Sequence, residues 1–156
     1  MAKPLLLVCS HVAVAGLGFF AGIYTLPILM APPAPEVRDV ASLQQRATYS
    51  GEFRRDLADS DFLHWGEGTV YLEPGTITFK GKLAPGPDYR LYLSPQFVET
   101  ESDFEALKSQ MVEIGPVQTF DNFVVPVPAA VDLASYDTAI VWCESFGEFI
   151  TSARYR

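Results

Sequence analysis

Thr69-Val70-Tyr71-Leu72-Glu73, then Pro74-Gly75, then Thr76-Ile77-Thr78-Phe79-Lys80, is the stretch that decides the fold. Both arms alternate apolar and polar residues, which is the period of a half-buried strand. Val70 and Leu72 fall on one face of the first arm, and Ile77 and Phe79 on one face of the second. Between them proline presets φ and glycine takes a positive φ, the chemistry of a tight turn. The segment therefore predicts an antiparallel hairpin with one apolar face.

The same pattern recurs downstream. Ala84-Pro85-Gly86-Pro87 marks a turn, and Asp88 to Leu93 alternates after it. Ser102 with Glu105 forms a capping box, with Phe104, Leu107, Lys108 and Met111 on one helical face, so a short helix is expected there. Strands are expected to resume at Val112–Ile114, Val117–Phe120 and Phe123–Val127. Tyr136 to Cys143 ends in the continuous apolar run Ala139–Cys143, which suits a strand buried on both faces in a sheet centre. Glu148 to Tyr155 offers a last strand. Short strands at turn-marked spacing predict an all-β domain, an antiparallel sandwich or a barrel-like variant, over residues 49–156.

Ahead of this domain lies a different phase. Pro4 to Ala31 carries no charged residue, and a bilayer core needs roughly 20 apolar residues in helix. Residues 1–31 are thus expected to form one transmembrane signal-anchor helix. A cleaved signal peptide is the rival reading, but such peptides have a shorter apolar core. The run also ends in Met30-Ala31-Pro32-Pro33-Ala34-Pro35, a poor cleavage site. Lys3 precedes the helix, and the positive-inside rule then puts the N-terminus in the cytoplasm. The domain would be extracytoplasmic, facing the periplasm if the membrane is a bacterial inner membrane. Gly18 and Gly22 make a G-x-x-x-G pair that would suit a helix-mediated homodimer, although glycine is common in membrane helices anyway. His11 lies near the cytoplasmic end and is given no role. Residues 32–48 read as a proline-rich linker that lifts the domain off the bilayer, with either a short helix or a spacer over residues 37–47.

Composition narrows the function. The net charge is −8 and the sequence pI about 4.6, with no basic stripe, so nucleic acid is not an expected partner. Such a domain is repelled by anionic lipid, which leaves the helix, residues 4–31, as the expected membrane contact. Trp65-Gly66-Glu67-Gly68 reads as a loop entering the hairpin, with Gly66-Glu67-Gly68 too short for a nucleotide motif, and neither H-E-x-x-H nor C-x-x-C occurs. Asp56, Asp59 and Asp61 read as a solvated cluster.

Two residues remain. The chain has two cysteines, Cys9 in the apolar segment and Cys143 near its end, too separated in environment to pair. Cys143 reads either as a buried core residue or as a redox thiol or soft-metal ligand. Alternation puts it on the face of Ala139 and Val141, opposite Trp142. His64 reads either as a loop histidine bonded to nearby backbone or, with Cys143, as half of a copper site.

Taken in order, His64-Trp65-Gly66-Glu67-Gly68, Gly86-Pro87-Asp88-Tyr89-Arg90-Leu91-Tyr92-Leu93-Ser94, Ile114-Gly115-Pro116-Val117, Val131-Asp132-Leu133-Ala134-Ser135-Tyr136 and Ala139-Ile140-Val141-Trp142-Cys143-Glu144-Ser145-Phe146 with Ala153 resemble the DM-thirteen domain. That domain also occurs in Skeletor-type animal proteins beside DOMON domains. The resemblance spans residues 49–156, and bacterial members share the layout of one membrane segment before one domain. It implies an all-β electron-transfer domain whose near-invariant cysteine, here Cys143, is proposed as redox-active. With no DOMON, haem or flavin module attached, the electron partner is expected to be a separate molecule. The readings carried forward are a membrane-tethered redox domain using Cys143, a non-catalytic binding module, and soft-metal handling by Cys143 and His64. No cofactor is required by the motifs; copper and haem stay open.

Overall fold

A computed structural model describes residues 2–156. Helix α1 runs over Ala2–Met30 and a short helix α2 over Val37–Gln44. The strands are β1 (Tyr49–Phe53), β2 (Gly66–Glu73), β3 (Thr76–Leu83), β4 (Tyr89–Ser94), β5 (Val112–Val117), β6 (Phe123–Pro126), β7 (Thr138–Cys143) and β8 (Glu148–Arg154), with helix α3 at Glu101–Leu107. They form two four-stranded antiparallel sheets, ordered β1-β2-β3-β6 and β5-β4-β7-β8. β1 lies against β8 and β5 against β6, so the two sheets close on each other along both sides. The expected sandwich is thus the fold, with a barrel-like closure.

The hairpin forms as its sequence dictates. Glu73 pairs with Thr76 and Gly75 takes φ +90°. Val70, Leu72, Ile77 and Phe79 are fully buried between the sheets, where Phe53, Leu91, Leu93, Val125 and Ile150 meet them. Apolar burial of this kind stabilises by about 1.5–3 kcal/mol per large side chain. A second cluster lies on the outer face of the second sheet, where α3 packs Phe104 against Tyr92, Ile140, Trp142 and Phe149. Strand β7 is consequently buried at every position, as the run Ala139–Cys143 requires.

Three local expectations are corrected and a fourth is decided. First, Gly66-Glu67-Gly68 is no loop but the start of β2; Gly68 pairs with Gly81 at φ +138°, and a Cβ there would strike the backbone of β3. Second, Val117–Phe120 is not a separate strand. β5 runs through Gly115-Pro116 to Val117, which the sheet tolerates because β5 is an edge strand. Third, α3 begins before Ser102: Thr100 is the cap, its Oγ1 accepting from the Asp103 amide at 3.1 Å, while Asp59 accepts from the Glu101 amide at 2.7 Å. Asp59 therefore caps a helix rather than facing water. Fourth, of the two readings of residues 37–47 the helix forms, over Val37–Gln44, and it packs on the domain. Val40 is fully buried against the domain, α2 contacts β3, and the Asn122 side chain donates to the Pro35 carbonyl at 3.3 Å.

Helix α1 is long and apolar enough to cross a membrane, and none of its residues 3–30 is buried. Its length is about 43 Å at 1.5 Å per residue, more than a hydrocarbon core of about 30 Å. Its C-terminal half, with Ile23 and Pro27 half-buried, approaches one end of the sandwich.

Candidate functional site

That end of the sandwich holds Cys143. β7 leaves the sheet at Cys143, and the loop 144–147 turns the chain into β8. Gly147 closes the turn at φ +69°, its amide donating to the Cys143 carbonyl at 2.9 Å. The turn folds the Ser145 and Phe146 amides back onto the Cys143 sulfur, and the Asp88 amide reaches it from the start of β4. Asp88 pins this arrangement: its carbonyl accepts from the Glu144 amide at 3.0 Å, and its carboxylate accepts from Arg90 at 3.1 Å and from the Ser145 hydroxyl at 3.2 Å.

Cys143 is 3% exposed and belongs to the inter-sheet core with Ala139 and Val141, on the face that alternation assigns it. Burial pushes its thiol pKa up. The three amides pull against that shift and the Asp88 charge adds to it. The resting group is a neutral thiol with amide dipoles aimed at its sulfur. Such donors favour extra electron density on sulfur whenever the proton leaves.

Tyr89 lies directly opposite Cys143 in the β4–β7 register and is also 3% exposed. Gly86 sits against its ring, where any Cβ would collide, and Phe120 meets it edge-on at 5.9 Å. Burial, with Cys143 and Tyr24 beside it, pushes the phenol far above its ordinary range. The Tyr89 hydroxyl makes no hydrogen bond among the described residues. Sequence reading did not single out this tyrosine; the signal was its place in the alternating strand, but its pairing with Cys143 depends on register.

Cys143 and Tyr89 line a cavity of about 380 Å³ together with Leu63, His64, Pro85, Phe146 and Ile150, and with Phe20, Ile23 and Tyr24 of α1. The structure thus brings His64 and Cys143 to one cavity. Asp61 organises the histidine. One carboxylate oxygen accepts from the Leu63 and His64 amides at 2.6 and 2.7 Å, and the other pairs with His64 Nδ1 at 3.2 Å. Burial alone would raise the Asp61 pKa, but these bonds outweigh it and hold the carboxylate low. An ionised carboxylate only accepts, so Nδ1 carries the proton and Nε2 is left as the acceptor of the neutral ring. Asp61 is exposed, as its place in the acidic cluster suggested, and also organises the loop around His64; Asp56 is exposed beside Arg54.

As a metal site the set is short of donors. No group of three or more His, Cys, Asp or Glu side chains is placed to hold an ion among the described residues. A copper centre of the electron-transfer kind uses two histidines with its cysteine, and the donors here do not fit it. His11 and Cys9 lie on α1, where the His11 ring bonds its own helix at the Leu7 carbonyl.

No curated protein and no solved structure matches the chain. A family profile does match, that described as Electron transfer DM13, over residues 56–155. The matched span takes in both sheets apart from β1, α3, and the Cys143, Tyr89 and His64 walls of the cavity, and this chain belongs to the DM13 electron-transfer family.

Proposed function

We propose that the chain is a membrane-tethered, extracytoplasmic electron-transfer domain in which Cys143 is the redox group and a separate molecule is the electron partner. The observation that carries this reading is the setting of Cys143, a buried thiol ringed by backbone amides that opens onto an apolar cavity. A core cysteine kept only for packing needs neither. The electron partner accepts two electrons as the Cys143 S–H bond breaks and an S–O bond to water or an S–S bond to a small thiol forms; two protons are released, one from Cys143 and one from the water or the second thiol, giving a sulfenic acid or a mixed disulfide. Burial at 3% exposure disfavours attack by a bulky protein thiol, so access is through the cavity. Helix α1 supplies the tether, with Lys3 on the cytoplasmic side. Pairing of two chains through Gly18 and Gly22 is compatible with this layout, since both glycines are open on the helix surface.

Electron counting tests the reading. The full chain with Cys9→Ser is reduced, freed of reductant and titrated with an acceptor dye. Two electrons per chain are expected, and none after Cys143→Ser. Equal delivery by both proteins would remove Cys143 from the chemistry.

A further inference from the structure

We infer that the cavity beside Cys143 binds the ring of a lipid-soluble quinone or quinol drawn from the membrane. The inference rests on the membrane and redox reading above and names the ligand class of that site.

Three observations select this class. The first is position. One wall of the cavity is Phe20, Ile23 and Tyr24 of α1, and a hydrocarbon core of about 30 Å beginning near Lys3 is spanned by roughly 20 residues, ending near that wall. Phe146 and Leu63 of the cavity, 54% and 41% exposed, and the adjoining Phe62 at 85% put bare apolar surface at the same end of the domain. Large exposed apolar groups of this kind mark a lipid or ligand contact. A ligand dissolved in the bilayer reaches the cavity without entering water.

The second is polarity. The lining holds no Lys or Arg, and Glu148 is part of the wall. Glu148 and Asp59 together raise the carboxyl of Glu101 behind it, after the effect of burial. An anionic occupant, such as a fatty acid, meets no counter-charge here. The ligand is neutral. The cavity volume lies within the ~300–1,000 Å³ of small-molecule sites.

The third is a pair of polar groups on the cavity wall, Tyr89 and His64, each with hydrogen-bonding capacity left over. The Tyr89 hydroxyl donates to no protein group among the described residues, and Tyr89 lines the cavity, so this donor is open to an occupant. His64, with Nδ1 held by Asp61, keeps Nε2 as an acceptor. A quinone oxygen accepts from Tyr89. A quinol hydroxyl accepts from Tyr89 and donates to His64. One donor and one acceptor among apolar walls fit a flat ring bearing carbonyl or hydroxyl oxygens.

The full chain in phosphatidylcholine nanodiscs is photolabelled with an azido-ubiquinone analogue, and labelled peptides are mapped by mass spectrometry. Labels are expected on residues 85–89 and 145–150, displaced by decylubiquinone and not by palmitate. Tyr89→Phe keeps the ring and is expected to weaken decylubiquinone competition about tenfold. Ile23→Trp fills the cavity from α1, outside the β-sandwich, and is expected to abolish labelling even if Tyr89→Phe perturbs the domain. Labelling scattered along α1 and indifferent to decylubiquinone would overturn the inference. Equal displacement by palmitate would do so too, by showing a general apolar slot. Cys143→Ser separates the two claims. Labelling kept while electron delivery is lost supports both. Labelling kept with delivery unchanged fails the Cys143 reading alone, and delivery without specific labelling in the unmutated protein fails the quinone inference alone.

Discussion

Trp142 and Cys143 are neighbours in β7 that point to opposite faces of one sheet, and the two faces are built for different ends. On the Trp142 side, Phe104 stacks on the indole at 3.9 Å and 9°, and Tyr92 meets Phe104 edge-on at 5.2 Å. The polar rim is closed as well: the Tyr92 hydroxyl donates to Glu144, and Lys108 grips both Glu144 oxygens at 2.9 Å. On the Cys143 side a phenol hydroxyl lacks a partner, the walls come from distant segments, and a cavity remains. Close packing with satisfied polar groups is what stability alone produces. The cavity on the Cys143 face is a departure from close packing, and it is the feature on which the proposed function rests.

The largest expected effect breaks the closed face. Phe104→Ala removes a fully buried ring and is expected to cost about 3–5 kcal/mol in urea unfolding. Phe146→Ala, at the cavity, is expected to cost under ~0.5 kcal/mol. Equal costs would erase the distinction between the faces. Next is alkaline pH. Cys143 has its folded pKa raised, so its contribution to stability is full below the unfolded thiol value of about 8.5 and is lost as pH rises through the folded value. Cys143→Ala is expected to flatten that fall in melts taken between pH 8 and pH 10, before the tyrosines with raised values join it. The smallest effect is at the rim. Glu144 is raised by burial but pulled down further by Tyr92 and Lys108, so its contribution is present above the ordinary carboxyl range and lost as pH falls through the folded value. Lys108 is partly exposed, so Lys108→Ala is expected to cost only about 0.5–1 kcal/mol at pH 7, with a shallower acid-side loss.

The sequence made the strands legible wherever one face is buried, as in Val70-Leu72 and Ile77-Phe79, because alternation is a direct trace of burial. It also put Cys143 on the inter-sheet face, since period 2 fixes sidedness from Ala139 onward. It misread Gly66-Glu67-Gly68 because the closeness of β3, through Gly81, leaves no mark in local sequence. It split β5 at Pro116 because edge position is a property of sheet order. Asp59 looked like a solvent charge, and its work as a cap is visible only once Glu101 is placed; Asp61 is exposed as expected, but its bonds to Leu63 and His64 appear only in the fold. The cavity was hidden for the same reason: its walls come from residues 20–24, 63–64, 85–89 and 143–150, which no spacing rule connects.

The central claim is that Cys143 is a working thiol, and mass spectrometry of that residue tests it most directly. The folded full chain carrying Cys9→Ser is exposed to a mild oxidant with a sulfenic-acid trap or a small thiol present, then returned to reductant. The account predicts a mass change at Cys143 that forms without unfolding and is reversed by dithiothreitol when it is a mixed disulfide. A Cys143 that stays an unmodified thiol until the domain is unfolded would contradict it.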